Sequence, residues 1–93
     1  MAVLDEESIN RYLGEINWDK KGNSLVKVVT LDDFDQAIEL VNKVAQLAQL
    51  ANHHPDIDIR WNKVIFDLSS HSEGGITLKD IDLAKQIDRI TLD

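Results

Sequence analysis

The alternation of apolar residues between positions 57 and 68 constrains the fold of this chain more than any other feature. Apolar side chains occupy the odd positions from Ile57 to Trp61 and the even positions from Val64 to Leu68. Such alternation is typical of strands with one buried face, and the change of parity indicates a two-residue turn between two strands. We place that turn at residues 62–63, which pairs 61 with 64, 59 with 66 and 57 with 68. The segment is therefore predicted to form a β-hairpin.

A helix and a second hairpin are predicted upstream. Asp5 has the character of an N-cap, and the helix that it begins is expected to end near Gly14. Strands are predicted over 16–20 and 24–30, because the glycine-containing stretch 21–23 is the strongest turn signal between them. Trp18 is expected in the core or half-buried in the sheet.

Two further helices are indicated by apolar periodicity and by their ends. The central one must stop before Pro55, and its predicted buried stripe leaves Leu40, Leu47 and Leu50 outside. That stripe consists of Phe34, Ala37, Ile38, Val41, Val44, Ala45 and Ala48. The last helix begins near Thr77, and residues 77–80 resemble a capping box that ends in aspartate instead of glutamate.

The order α-β-β-α-β-β-α predicts an α+β fold, with one four-stranded antiparallel sheet and three helices packed on it. At 93 residues, the chain is expected to form a single domain over 1–93. A helix as apolar as the central one is either deeply buried or shared with a second copy of the chain. We therefore expect a homodimer or homotetramer.

Composition and charge exclude several classes of function. The net charge is −7 and the ten Lys and Arg residues are scattered, so direct nucleic-acid binding is not expected. No apolar run approaches the ~18 residues that cross a bilayer, and no signal peptide is visible, so neither a membrane role nor export is expected. The absence of cysteine excludes disulfides and thiolate metal sites. We expect a cytoplasmic location.

All three histidines fall in the second half of the chain. His53 and His54 are adjacent, and the predicted hairpin register, extended outward, places position 54 opposite His71. The glycines at 74–75 allow a close chain reversal, after which the last helix brings Asp80 to the same neighbourhood. The three imidazoles and this carboxylate are therefore predicted to form one cluster.

Such a cluster suits the elimination of water. Imidazole, with an ordinary pKa of about 6.5, can protonate a departing hydroxyl or remove a proton near neutral pH. Other interpretations stay open: histidines in a surface loop, Asp80 as a helix cap alone, Trp61 as a packing residue, or zinc held by three histidines and water. Adjacent histidines in an extended segment point to opposite sides, which favours catalysis over a shared metal.

A set of motifs, far more specific together than alone, extends over nearly the whole chain. They are Asn52-His53-His54-Pro55, Trp61-Asn62-Lys63-Val64, Leu68-Ser69-Ser70-His71, Gly75-Ile76-Thr77 and Asp80-Ile81-Asp82-Leu83-Ala84, with Trp18, Asp33-Phe34, Ala37 and Val44-Ala45 upstream. In this combination the chain resembles the pterin-4a-carbinolamine dehydratase family.

The resemblance implies a hydro-lyase that converts 4a-hydroxytetrahydrobiopterin to quinonoid dihydropterin, a step that recycles the pterin of aromatic amino-acid hydroxylases. His53, His54 and His71 match the family's catalytic histidines, and Asp80 matches the acid that supports them. We assign His53 and His71 as acids near the 4a-hydroxyl, and His54 to pterin binding and proton removal.

The substrate-binding residues expected from the resemblance are Ser69, Ser70, Trp61 and Gln49. Neither a metal nor an organic cofactor is implied, because the pterin is the substrate. Gln49 stands where family members usually carry glutamate, and Trp61 where they usually carry tyrosine. An amide can hydrogen-bond an imidazole but cannot stabilise its protonated form as a carboxylate would. We therefore expect a changed pH dependence or a slower reaction.

The rival interpretation is a non-catalytic binding module. Family members in animals also act as dimerisation cofactors of a transcription factor, and they use helix surfaces for this contact. Leu40, Leu47 and Leu50 could form such a surface, although self-association accounts for them more simply.

Overall fold

The computed structural model of the chain describes residues 2–91. Its elements are α1 (Glu6–Leu13), β1 (Asp19–Lys21), β2 (Ser24–Thr30), α2 (Phe34–Ala51), β3 (Asp56–Arg60), β4 (Lys63–Leu68) and α3 (Leu78–Thr91). The strands form one antiparallel sheet in the order β1-β2-β4-β3. The predicted α+β class and the predicted order of elements are confirmed.

Side-chain oxygens define where α1 and α2 begin. Asp5 accepts a hydrogen bond from the backbone N–H of Ser8 at 2.8 Å, and Asp33 accepts one from Gln36 at 2.9 Å. Each bond satisfies an N–H group that the first turn of a helix leaves unpaired. The predicted cap at Asp5 is confirmed, and α1 ends just before Gly14 as expected.

The buried face of α2 differs from the predicted stripe. Its buried residues are Ala37, Leu40, Val44 and Ala48. Leu47 packs against the same core, whereas Phe34 and Ala45 lie at the surface. The prediction that Leu40 and Leu47 lie outside the buried face was therefore wrong. Two apolar stripes overlap on this helix, and packing against β4 and α3 selects the one that contains the leucines. Leu50 alone of the three stays exposed, at 87%.

The first hairpin has the predicted turn but a later start. Gly22 adopts a φ of 59° in the turn, while β1 begins at Asp19 instead of residue 16. The preceding residues are held by α3, because the backbone N–H of Asn17 and the indole N–H of Trp18 each donate to Asp88 at 2.9 Å. Lys27 of β2 binds the same carboxylate at 3.0 Å. Asp88 thus ties α3 to the sheet.

The second hairpin is present, but its predicted register was wrong by two residues. Position 57 pairs with 66 and 59 with 64, so the turn falls at residues 61–62 instead of 62–63. A shift by two keeps every side chain on its predicted face of the sheet. Alternation therefore determines the faces and leaves the position of the turn open.

Contacts with another loop hold this turn in place. Trp61 adopts a left-handed φ of 50°, which is uncommon for a bulky residue. Leu31 donates its backbone N–H to the carbonyl of Asn62 at 2.8 Å, and the Asn62 amide donates back to the Leu31 carbonyl at 3.1 Å. These contacts between distant segments have no signature in the hydrophobic pattern.

The core lies between one face of the sheet and the helices. Leu25, Val64, Phe66 and Leu68 point to this side and are fully buried, whereas Val28 on the other side is 56% exposed. None of the helices between residues 2 and 91 has the length and apolar character needed to cross a membrane.

Candidate active site

The end of α2 delivers two of the histidines. Asn52 adopts the left-handed conformation, with φ at 50°, which asparagine tolerates better than most residues. The backbone N–H groups of Asn52 and His53 donate to the carbonyls of Gln49 at 3.2 Å and Ala48 at 3.1 Å. This pattern closes a helix as a Schellman motif does. His53 and His54 are therefore positioned by a well-formed helix end.

Asp80 comes from the first turn of α3 and is completely buried. Its Oδ2 accepts hydrogen bonds from the backbone N–H of Thr77 and from the hydroxyl of Ser70, each at 2.9 Å. Thr77 Oγ1 in turn accepts from the backbone N–H of Lys79 at 3.2 Å. The predicted capping box is thus formed, and its acid also takes part in the site.

The imidazole of His53 is bound to this carboxylate. Its Nε2 lies 2.5 Å from Asp80 Oδ1, and the side chain is 12% exposed. Because an ionised carboxylate can only accept, this contact requires a proton on Nε2 and leaves Nδ1 as the nitrogen available to a substrate. His53 is therefore held in one orientation and one tautomer.

His54 has a neutral partner. Its Nε2 lies 2.6 Å from Gln49 Oε1, and the pair is exposed. The amide oxygen also accepts, so Nε2 again carries a proton and Nδ1 is left without one in the neutral ring. The amide has no charge with which to stabilise a doubly protonated ring. His54 is oriented as His53 is, but without the support of an ion pair.

His71 is the least constrained of the three histidines. Its Nε2 lies 4.0 Å from Asp56 Oδ2, and the two side chains are 74% and 75% exposed. An exposed pair of this kind contributes little to stability. The loop that carries His71 reverses as predicted, with a φ of 80° at Gly74 and an isolated bridge between Ser70 and Gly75.

All three histidines line one pocket with a volume of about 240 Å³. The remaining lining residues are Asn52, Ser69, Ser70, Ser72, Glu73, Thr77 and Lys79. Ser69 and Ser70 are predicted site residues. Five lining residues were missed as site residues: Asn52, Ser72, Glu73, Thr77 and Lys79. Asn52 and Thr77 belong to the family motifs, and Ser72 and Lys79 each adjoin a predicted site residue, so these were the sequence signals that could have found them.

Two predicted site residues lie outside this lining. Gln49 reaches the site through its contact with His54. Trp61 is 66% exposed in the β3–β4 turn, at the opposite end of the hairpin from the histidines. The structure does not bring Trp61 to the pocket of its own chain, and its role in substrate binding stays a prediction.

The histidines meet by a different route from the predicted one. The observed register would place position 54 opposite 69, so His54 and His71 are not opposed across an extended ladder. They converge because the end of α2 and the loop after β4 border the same pocket. The capped first turn of α3 then supplies Asp80, which contacts His53.

This arrangement is suited to proton transfer. Three imidazoles share one pocket, and two of them are fixed with Nε2 protonated, so that Nδ1 can give or take a proton. Within residues 2–91, no group of three or more His, Cys, Asp or Glu side chains is arranged to hold a metal ion. The fold and pocket define an α+β protein with three histidines gathered in one pocket, an arrangement that acid–base chemistry could use.

Comparison with known proteins identifies the family. Residues 2–90 match the family model described as pterin 4 alpha carbinolamine dehydratase. A protein of Roseiflexus castenholzii is 50% identical over 90 residues, covering 96% of this chain and 97% of its own. One of Mycobacteroides abscessus is 49% identical over 89 residues, covering 95% of each chain. Both are provisionally named pterin-4-alpha-carbinolamine dehydratases. The chain belongs to this family, as its motifs indicate.

Two solved structures share the fold. A transcriptional coactivator/pterin dehydratase from Brucella melitensis has a TM-score of 0.91 and 28% identity, covering 96% of this chain and 98% of its own. A pterin dehydratase-like protein, described as a RuBisCO assembly factor in the alpha-carboxysome, has a TM-score of 0.66 and 18% identity, covering 84% and 90%. At that identity the second likeness concerns the fold alone. Proteins of this fold therefore carry differing described roles, and the activity must be argued from the site.

Proposed function

We propose that the protein is a hydro-lyase that dehydrates 4a-hydroxytetrahydrobiopterin, a pterin-4a-carbinolamine, to quinonoid dihydropterin and water. The observation that carries this proposal is the convergence of His53, His54 and His71 on one pocket. Family membership supplies the substrate class. The proposed reaction belongs to tetrahydrobiopterin recycling in the cytoplasm and uses neither a metal nor an organic cofactor.

The reaction breaks the bond between C4a and the hydroxyl oxygen. The departing hydroxyl takes up one proton, and the adjacent ring nitrogen loses one, so that water leaves and a double bond forms. His53 is proposed as an acid, because the Asp80 carboxylate at 2.5 Å balances the charge of a ring that also carries a proton on Nδ1. The exposed His71 is proposed as a second acid near the same hydroxyl.

His54 is proposed to bind the pterin and to remove the proton. Its Nε2 hydrogen donates to the neutral oxygen of Gln49, so the lone pair on Nδ1 is available as a base. The opposite proton states proposed for His53 and His54 are what a coupled acid and base require. Ser69 lines the same pocket and is proposed to contact the pterin ring.

The test is the dehydration of enzymatically generated 4a-hydroxytetrahydropterin, followed by ultraviolet absorbance with and without a chelator. We expect acceleration that survives the chelator and falls by about a hundredfold in His53→Ala and His71→Ala, a typical effect for an acid or base. A rate no higher than that of buffer would overturn the proposal. Activity that the chelator abolishes would point instead to a zinc-dependent reaction.

A second function is favoured by the end of α2. Leu50 is 87% exposed there and lines a pocket with Ala45, which would suit a non-catalytic dimerisation or transcription-cofactor role, or a homodimer or homotetramer. Light scattering of the protein and of Leu50→Asp tests association. A binding role requires that Leu50→Asp abolish association and that His71→Ala preserve it. A protein that is monomeric at micromolar concentration would rule out the proposed oligomer.

A further inference from the structure

We infer that Ser70 and Thr77 are positioning residues that act on His53 through Asp80. This inference rests on the proposed function and assigns these two hydroxyls a place in it. Ser70 then serves the reaction without using its hydroxyl hydrogen to bind the pterin.

Three hydrogen bonds run in one direction toward Asp80, and His53 donates a fourth to the same carboxylate from the other side. The backbone N–H of Lys79 donates to Thr77 Oγ1 at 3.2 Å, and Thr77 Oγ1 lies 2.8 Å from Ser70 Oγ. Because Ser70 gives its single hydroxyl hydrogen to Asp80 Oδ2 at 2.9 Å, the Thr77 hydroxyl is the donor to Ser70. The other oxygen, Asp80 Oδ1, lies 2.5 Å from His53 Nε2. Donors arranged in sequence in this way polarise and strengthen one another.

The chain of hydrogen bonds through Thr77, Ser70 and Asp80 is shielded from water. Thr77 and Asp80 are completely buried, and Ser70 is 6% exposed. Among residues 2–91, every buried side-chain nitrogen or oxygen has a hydrogen-bond partner. Loss of one hydroxyl would therefore leave its neighbour unpaired in a place where water does not easily replace it.

The geometry explains how a hydroxyl can influence a ring that it does not touch. Asp80 Oδ2 is held by two donors, the Ser70 hydroxyl and the Thr77 backbone N–H, each at 2.9 Å. A carboxylate held at one oxygen presents the other in a fixed direction, and this fixes the tautomer of His53. Without the Ser70 donor, one hydrogen bond remains on Oδ2 and the carboxylate can rotate about its Cβ–Cγ bond.

The experiment compares Ser70→Ala and Thr77→Val with two matched controls. Thr77→Ser keeps the hydroxyl and loses a methyl group, so it separates the hydrogen bond from packing. Thr30→Val makes the same chemical change as Thr77→Val at the exposed end of β2, far from the pocket. For each protein, kcat and KM of the dehydration are measured, together with the tautomer of His53 from the ¹⁵N chemical shifts of its ring.

We expect Ser70→Ala to lower kcat about tenfold, the effect of one lost hydrogen bond to a charged group, with KM little changed. Thr77→Val loses only the bond to the neutral Ser70 hydroxyl and should lower kcat less, again with KM little changed. At a pH at which the His53 ring is neutral, the same two variants should show both of its tautomers, whereas the wild-type protein, Thr77→Ser and Thr30→Val should show only the Nε2-protonated form.

The inference requires both the lower kcat and the mixture of His53 tautomers. The absence of either change would overturn it. A rise in KM at constant kcat would mean that the hydroxyls bind the substrate directly. If the wild-type protein does not dehydrate the pterin at all, the proposed function fails. The tautomer comparison is independent of activity and still decides whether Ser70 and Thr77 position His53.

Discussion

His53 and His54 are neighbours in the sequence, yet they have different partners in the structure. His53 contacts a fully buried carboxylate on α3, whereas His54 turns back to an exposed amide on α2. Both rings keep a proton on Nε2, but only His53 has a negative charge beside it. The contrast teaches that identical side chains acquire different chemical roles from what lies behind them.

The largest expected effect comes from removing the charge behind His53. Asp80→Asn has nearly the same shape, but its amide has a single accepting oxygen. The carboxylate has two: Oδ2 accepts from Ser70 and Thr77, and Oδ1 accepts from His53. We expect kcat to fall about a hundredfold and the free energy of unfolding to fall by about 2 kcal/mol. Steady-state kinetics and urea denaturation measure the two. Unchanged kcat in a folded variant would show that the charge is dispensable.

Placing a carboxylate beside His54 should make its surroundings more like those of His53. Gln49→Glu is expected to stabilise the protonated form of His54, so the acidic limb of the pH–rate profile should move to higher pH and kcat should change several-fold. Gln46→Glu adds the same charge one turn earlier on α2 and serves as the control. Superimposable profiles of Gln49→Glu and the wild-type protein would contradict this account of His54.

A smaller effect is expected at His71, where the carboxylate is distant. Asp56 and His71 are separated by 4.0 Å and are mostly exposed, so solvent screens their interaction. Asp56→Asn should therefore keep kcat within about twofold of the wild-type value, since surface pairs are worth less than ~1 kcal/mol. A loss comparable to that of Asp80→Asn would show that His71 depends on its acid as much as His53 does.

The smallest effect is expected at Asp5, an exposed helix-capping acid that contacts no histidine. The hydrogen bond from the backbone N–H of Ser8 holds the pKa of Asp5 below its ordinary value of 3.8. A lowered pKa in the folded state stabilises the protein above the ordinary value, and the contribution is lost as the pH falls through the folded pKa. Asp5→Asn still caps the helix but does not titrate there.

Urea denaturation between neutral and acidic pH measures this contribution. The stability of the wild-type protein should fall more steeply than that of Asp5→Asn once the pH drops below about 3.8. Parallel curves would contradict the assignment, and the dehydration rate near neutral pH should be the same in both proteins.

Local signals predicted the elements of the fold better than their mutual placement. The caps at Asp5 and Thr77 and the alternation around Phe66 are properties of short segments, and they are present in the structure as predicted. The rotation of α2 and the position of the second turn depend on distant partners. Leu40 is buried by tertiary packing, and Asn62 is held by Leu31, so periodicity alone misplaced both features.

The candidate site shows the same difference between what local signals predict and what depends on distant partners. Its histidines and Asp80 could be predicted from their types and from the family motifs, although the register argument for their meeting was wrong. The partners that distinguish one histidine from another were not predictable from spacing. The Ser70 hydroxyl reaches Asp80 ten positions further along the chain only because the intervening loop closes.

The most direct test of this account is a set of pH–rate profiles for the dehydration, measured on the wild-type protein, His54→Ala and the double variant His53→Ala/His71→Ala, which removes both proposed acids. An acid that must be protonated and a base that must be unprotonated together give a bell-shaped profile. The account predicts that the double variant loses the alkaline limb and His54→Ala loses the acidic limb, each with a lower maximum. Profiles that keep both limbs in both variant proteins, or lose the same limb, would contradict the division of roles between the proposed acids and the proposed base.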